Sequence, residues 1–105
     1  MKNEFILTLT ATDKKAISKK ISKKLIEERV CACVNIIPGA ESCYIWKSKF
    51  QRSREWLILI KSQKSSYKKI ESIIKKLHNY ELPEIISIKI DQGYKEYLNW
   101  IKNET

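Results

Sequence analysis

Apolar residues recur along this chain in two rhythms, and where the rhythm changes an element ends. Residues 4–11 (EFILTLTA) are dense in apolar and β-branched side chains, which predicts a strand. Thr12 and Asp13 then offer capping chemistry for a helix. From Lys14 to Arg29 the period lengthens: Ile17, Ile21 and Leu25 recur every four residues, flanked by Ala16 and Ile26, while Lys15, Lys19, Lys20 and Lys23 fall off the stripe. That spacing predicts an amphipathic helix with one face buried.

Residues 31–46 form a second extended segment, interrupted by Pro38-Gly39, a pair that marks a bulge or a sheet edge. A turn at Lys47-Ser48-Lys49 leads into a third strand over residues 52–62. Both arms exceed the usual strand length of about 5–6 residues. In the third strand Trp56, Ile58 and Ile60 point one way, Leu57 and Leu59 the other, so neither face is polar. Ser65 or Ser66 caps a second helix whose buried stripe is Tyr67, Ile70, Ile73, Ile74 and Leu77. Residues 85–90 (IISIKI) make a fourth strand. A short third helix spans Tyr94 to Lys102, with Tyr94, Tyr97, Leu98 and Ile101 on one side.

Two strand-helix-strand units joined by a hairpin give the ferredoxin-like split β-α-β arrangement, an α+β fold with its helices over one face of an antiparallel sheet. A lone copy would leave the other face in water although the third strand is apolar on both sides. A second copy of the chain is the simplest cover, so oligomerisation is expected.

Composition changes this picture little. The 105 residues suit a single domain spanning residues 1–105. The net charge of +9 comes from eighteen lysines and three arginines beside seventeen isoleucines. Phosphate-reading surfaces favour arginine, whose planar fork matches phosphate, so a solvated lysine coat is the simpler reading than a nucleic-acid or membrane patch. No apolar run approaches the ~20 residues of a membrane span. The N-terminal MKNEFILTLTAT is too short in apolar residues for a secretory leader. Three cysteines without disulfide spacing fit a reducing compartment, and a cytoplasmic location is expected.

Cys31 and Cys33, two apart, face the same side if the segment is extended, and Cys43 lies beyond the Pro38-Gly39 break. One reading is a soft Cu(I) pair. The other is packing, since free cysteine is among the most buried residues. Structural zinc would want four converging ligands, which this spacing does not supply.

The run ERVCACVNIIPG from Glu28, SCYIWKSK from Ser42, Glu55, IKS from Ile60, HNYELPEI from His78 and YLNWI from Tyr97 together resemble the CutA family, the small proteins named for divalent-cation tolerance. The match spans nearly the whole chain in order. The resemblance implies a ferredoxin-like subunit, a homotrimer similar in architecture to the PII signalling proteins, a cytoplasmic location, and copper or other divalent-metal binding with no obligatory cofactor. It also suggests that any ligand is sensed at clefts between subunits. Ser48 and Asn79 stand where the family pattern has a turn glycine and a proline.

Carried over residue by residue, the resemblance points to His78 and Glu84 as a metal pair, whose N and O donors suit Cu(II) or Zn(II). The alternative is a histidine closing the second helix, with Glu84 paired to a lysine. Tyr44, Trp46, Lys61 and Tyr80, with Glu81 nearby, match cleft positions that would hold a small anionic or aromatic ligand, or that simply pack an interface. A nucleic-acid-binding module of the same fold class is the second functional reading. It ranks lower because the third strand, RSREWLILI, lacks the glycine and exposed aromatics on which bases stack. An enzyme ranks below both: Ala11-Thr12-Asp13 is no phosphate loop, and a single histidine leaves no triad.

Overall fold

The structure, a computed structural model, describes residues 4–105; the opening residues of the leader reading lie outside that range. Four strands and three helices follow the order β1 (Phe5–Thr12), α1 (Lys15–Glu27), β2 (Cys33–Trp46), β3 (Lys49–Gln63), α2 (Tyr67–Leu77), β4 (Ile86–Ile90) and α3 (Lys95–Asn103). The sheet is antiparallel in the order β2-β3-β1-β4, so β2 and β4 are its edges. The α+β class and the element order match the expectation. No helix among the described residues is long and apolar enough to cross a membrane.

Strand register sorts the side chains into two faces. Thr8 lies opposite Ile60 and Thr10 opposite Ile58, so these share one side. Against that side α1 and α2 press Ile21, Leu25, Ile70 and Ile74, and all six aliphatic side chains are fully buried. Each such burial is worth about 1.5–3 kcal/mol relative to exposure, which makes this layer the centre of stability. The predicted stripes are broader than the buried ones. Ala16 and Ile26 are exposed, and Ile17, Ile73, Leu77 and Tyr67 are only half buried, because each helix meets the sheet along a narrow seam. Thr12 does not cap α1 directly. Its hydroxyl oxygen accepts the Lys14 N–H at 3.2 Å, one residue before the helix. Ser66 makes no side-chain cap on α2, which is entered through a short 3-10 turn at Lys64–Ser66.

The opposite side carries Leu7, Leu9, Leu57, Leu59, Lys61, Ile86 and Ile88. The helices were expected to cover one face only, but α3 comes to this second side: Gln63 Nε2 donates to Thr105 Oγ1 at 2.8 Å, and Lys61 Nζ sits 5.7 Å from the Tyr97 ring centroid. Ile101 is its buried anchor; Tyr94 and Tyr97 stay exposed, contrary to the predicted stripe. Being short, α3 covers only one end of the face, and Ile86 and Ile88 remain about half exposed.

The β2–β3 hairpin is the longest feature. Fifteen residues of β3 at about 3.3 Å each span roughly 50 Å, which sets the 46 Å long axis of the subunit. The radius of gyration, 14.4 Å, exceeds the roughly 13 Å of a compact chain this size. At the hairpin tip Lys47 and Ser48 both have positive φ, as a two-residue type I′ turn requires. The break at Pro38-Gly39 is a bulge: Ile37 pairs with Leu57 but Ala40 pairs with Glu55, so β2 carries one extra residue there. Gly39 takes φ +78, the left-handed conformation that glycine tolerates.

Cys31 lies just ahead of β2 and packs into the cluster under α1 and α2. Burial, with the neighbouring Cys33 a smaller cause, pushes its thiol up to about 12. Cys33 pairs across the sheet with Lys61, on the other side, so the two thiols do not share a face as the extended reading expected. Cys43 is exposed on the hairpin.

Candidate functional site

The segment after α2 is pinned to the end of β1 by a set of short hydrogen bonds. His78 closes α2 with its backbone N–H on the Ile74 carbonyl at 2.9 Å. Its ring Nδ1 accepts the Tyr80 backbone N–H at 3.0 Å, which leaves the proton on Nε2, and Nε2–H donates to the Ala11 carbonyl at 2.8 Å. Asn79 accepts from the Thr12 hydroxyl at 2.6 Å and donates to Asp13 Oδ1 at 2.9 Å. The Asn79 amide thus ties this corner down.

The pinned segment and the outer half of the hairpin, beyond the bulge, border a cavity of about 730 Å³. Tyr44 and Trp46 line it from β2, Glu55 from β3, and Tyr80, Glu81 and Glu84 from the segment before β4. Glu55 is the best-buried of the carboxylates, at 6 % exposure, and its Oε2 accepts the Tyr80 hydroxyl at 2.6 Å. Burial, reinforced by the Glu55 hydrogen bond and charge, pushes the Tyr80 phenol well above its ordinary range, so it stays a donor at neutral pH. Burial and then the Glu55 charge raise the Glu84 carboxyl. Two acids thus repel across a partly desolvated space. Asp13 adds a fourth carboxylate, and no lysine, arginine or histidine is among the lining residues.

Of the residues read from the sequence, Tyr44, Trp46, Tyr80, Glu81 and Glu84 come together in this cavity. Lys61 does not; it lies beside α3 over the Tyr97 ring. His78 stands behind the wall rather than in it. Both its ring nitrogens are engaged with backbone, so a metal would first have to displace one of those bonds. Among the described residues no group of three or more His, Cys, Asp or Glu side chains gathers as a metal site. The acidic lining also disfavours the anionic ligand expected at these positions. Sequence reasoning passes over Glu55 and Asp13 as site residues. The available signal is a lone carboxylate beside an apolar run, EWLILI, on a strand predicted to be buried.

Comparison with known proteins agrees with this architecture. The family model described as CutA1 divalent ion tolerance protein matches residues 6–104. The divalent-cation tolerance protein CutA of Thermus thermophilus is 36 % identical over 99 residues, covering 94 % of this chain and 96 % of that protein. A solved structure of the Thermus thermophilus protein superposes with a TM-score of 0.93 over 96 % of this chain and 98 % of that one. The chloroplastic CutA protein of Arabidopsis thaliana is 36 % identical over 95 % of this chain, which spans only 54 % of the plant protein. A structure from Archaeoglobus fulgidus, described as a periplasmic divalent cation tolerance protein CutA, is 29 % identical with a TM-score of 0.89, covering 98 % of each chain. With the model match running almost from end to end, this chain belongs to the CutA1 divalent ion tolerance family.

Proposed function

We propose that the chain acts as a cytoplasmic homotrimer in divalent-cation tolerance, copper among the cations, and that it binds metal or a small cationic ligand at clefts between subunits without catalysing a reaction. The observation that carries this reading is the pairing of two features at one place. A cavity lined by Glu55, Glu81, Glu84 and Asp13 opens beside a hairpin whose tip exposes Ile45 at 65 % and Phe50 at 61 %. Large exposed apolar side chains on an extended strand are a docking and aggregation hazard unless another chain covers them. A copy seated there would flank the acidic cavity, adding walls that one subunit lacks. Carboxylates lining one cavity, Glu84 among them with its proton affinity raised by burial and then by the Glu55 charge, favour the arrival of positive charge. The three free cysteines suit a reducing compartment.

Light scattering on the purified chain tests the assembly, with three copies per particle expected. Titration of Cu(II), repeated with Glu84→Gln and His78→Ala, tests the site. Glu84→Gln should weaken binding while His78→Ala acts only through the wall it supports. A stable single copy at micromolar concentration, with equal Cu(II) affinity in all three proteins, would remove this reading.

A further inference from the structure

We propose that the cleft selects an organic cation, a primary amine or polyamine with an apolar stem, in preference to a bare metal ion. The inference rests on the reading that this cleft is the binding site, and adds the class of ligand.

Sign comes first. The chain carries 21 lysines and arginines against 12 acids, yet the cavity lining holds four carboxylates and no basic side chain. A random draw from this surface would be basic. The segregation therefore points to a positive occupant, and it excludes phosphates and carboxylates as favoured ligands.

The second observation is Glu55. It is 6 % exposed, sits on β3 opposite Ala40, and lines the cavity. Tyr80 donates to one of its oxygens, and among the described residues no hydrogen bond or ion pair reaches the other. A buried carboxylate without a cationic partner is costly, and lysines are abundant enough here that one within reach would be expected if the role were structural. Glu55 instead has one acceptor oxygen without a hydrogen-bond partner among the described residues, on a residue that lines the cavity together with Tyr44, Trp46 and Glu84.

Size and walls then separate an amine from a metal. The cavity, about 730 Å³, falls within the 300–1,000 Å³ typical of small-molecule pockets, whereas a metal ion needs three or four donors converging on one point. No such group exists among the described residues, and the one histidine commits both nitrogens to backbone. Tyr44 and Trp46 line the cavity and keep 42 % and 37 % exposure, and aromatic faces attract ammonium groups within about 6 Å. An ammonium held by Glu55 with its methylene stem along Tyr44 and Trp46, and a second ammonium near Glu81 or Glu84, would use each of these lining groups.

Calorimetry on the full chain in its native assembly tests this with four probes: 1,4-diaminobutane, spermidine, succinate and Cu(II). The diamine and spermidine should bind, spermidine more tightly, and succinate should not. Glu55→Gln keeps an acceptor for Tyr80 and should weaken the amines at least tenfold with mass and circular dichroism unchanged. The double change Tyr44→Ala and Trp46→Ala, away from the buried carboxylate, should weaken them as well. Glu28→Gln, just past α1, should leave them unaltered. Cu(II) binding with no amine binding would overturn the inference and leave the proposed metal role standing. Amine binding that Glu55→Gln and the aromatic pair both leave unchanged would overturn it too, because the amines would then be held elsewhere. Absence of all binding together with a single-copy mass would sink the underlying reading of the cleft as well.

Discussion

Two regions of this subunit are built from the same residue types and end in opposite conditions. On the helix side of the sheet, Ile58 and Ile60 meet Ile21, Leu25, Ile70 and Ile74, and none keeps any exposure. On the hairpin arm beyond the bulge, Ile45 and Phe50 remain in the open. The first region satisfies itself within one chain. The second does not, and nothing in its composition distinguishes it. Position decides: the arm projects beyond the reach of any helix of its own subunit, so its apolar surface can be covered only by another chain.

Ways to break that contrast differ in size. Ile58→Ala should cost about 2–5 kcal/mol in urea unfolding, because the helices above cannot settle into the lost volume. Its loss should appear in any state of assembly. Ile45→Lys with Phe50→Lys should leave the secondary structure intact by circular dichroism but lower the particle mass from the three copies proposed above toward one. If these arm changes instead melt the subunit, the arm is part of the core after all and the contrast fails.

Smaller effects sharpen it. Ser48 sits at φ +67 at the arm's tip, where a side chain costs roughly 1–2 kcal/mol in the left-handed region. Ser48→Gly should recover part of that, seen as a rise in Tm on thermal unfolding. Smallest is an acid effect at the far end of the sheet. Hydrogen bonds from Lys64, then Lys89, hold the Glu4 carboxyl below its ordinary range. A carboxyl with a depressed folded value contributes stability above its unfolded value and loses it as pH falls through the folded one. Glu4→Gln should therefore flatten a slight acid-side decline in Tm below about pH 4.5, and change little at neutrality because the pair is solvated.

Much of the fold is readable because periodicity reports burial locally. Every predicted element lies within three residues of its observed ends, and the bulge is signalled by Pro38-Gly39 itself. The misses concern relations across the chain. The widths of the helix stripes depend on how closely each helix seats, so Ile26 and Tyr97 look as apolar as Ile21 and Ile101 yet stay exposed. The side on which α3 lands is set by contacts with Gln63 and Lys61, over thirty residues away in sequence. At the site, the aromatics and the acids of YELPE are legible as a group. That Lys61 lies elsewhere, and that Glu55 is the buried member, depends on strand register, which no local pattern gives.

The extra residue at Pro38-Gly39 works as a joint in an otherwise regular ladder. Before it, Cys33, Asn35 and Ile37 face Lys61, Leu59 and Leu57; after it, Ala40 faces Glu55 and Tyr44 faces Gln51. Delete Gly39 and the ladder can close with each of those partnerships kept, while the local kink and added twist are lost. The contents of the arm and the angle at which it leaves the sheet are thus set separately. A lineage could re-aim this limb toward a differently shaped neighbour by changing length at one spot, without rewriting a single letter of the surface it presents.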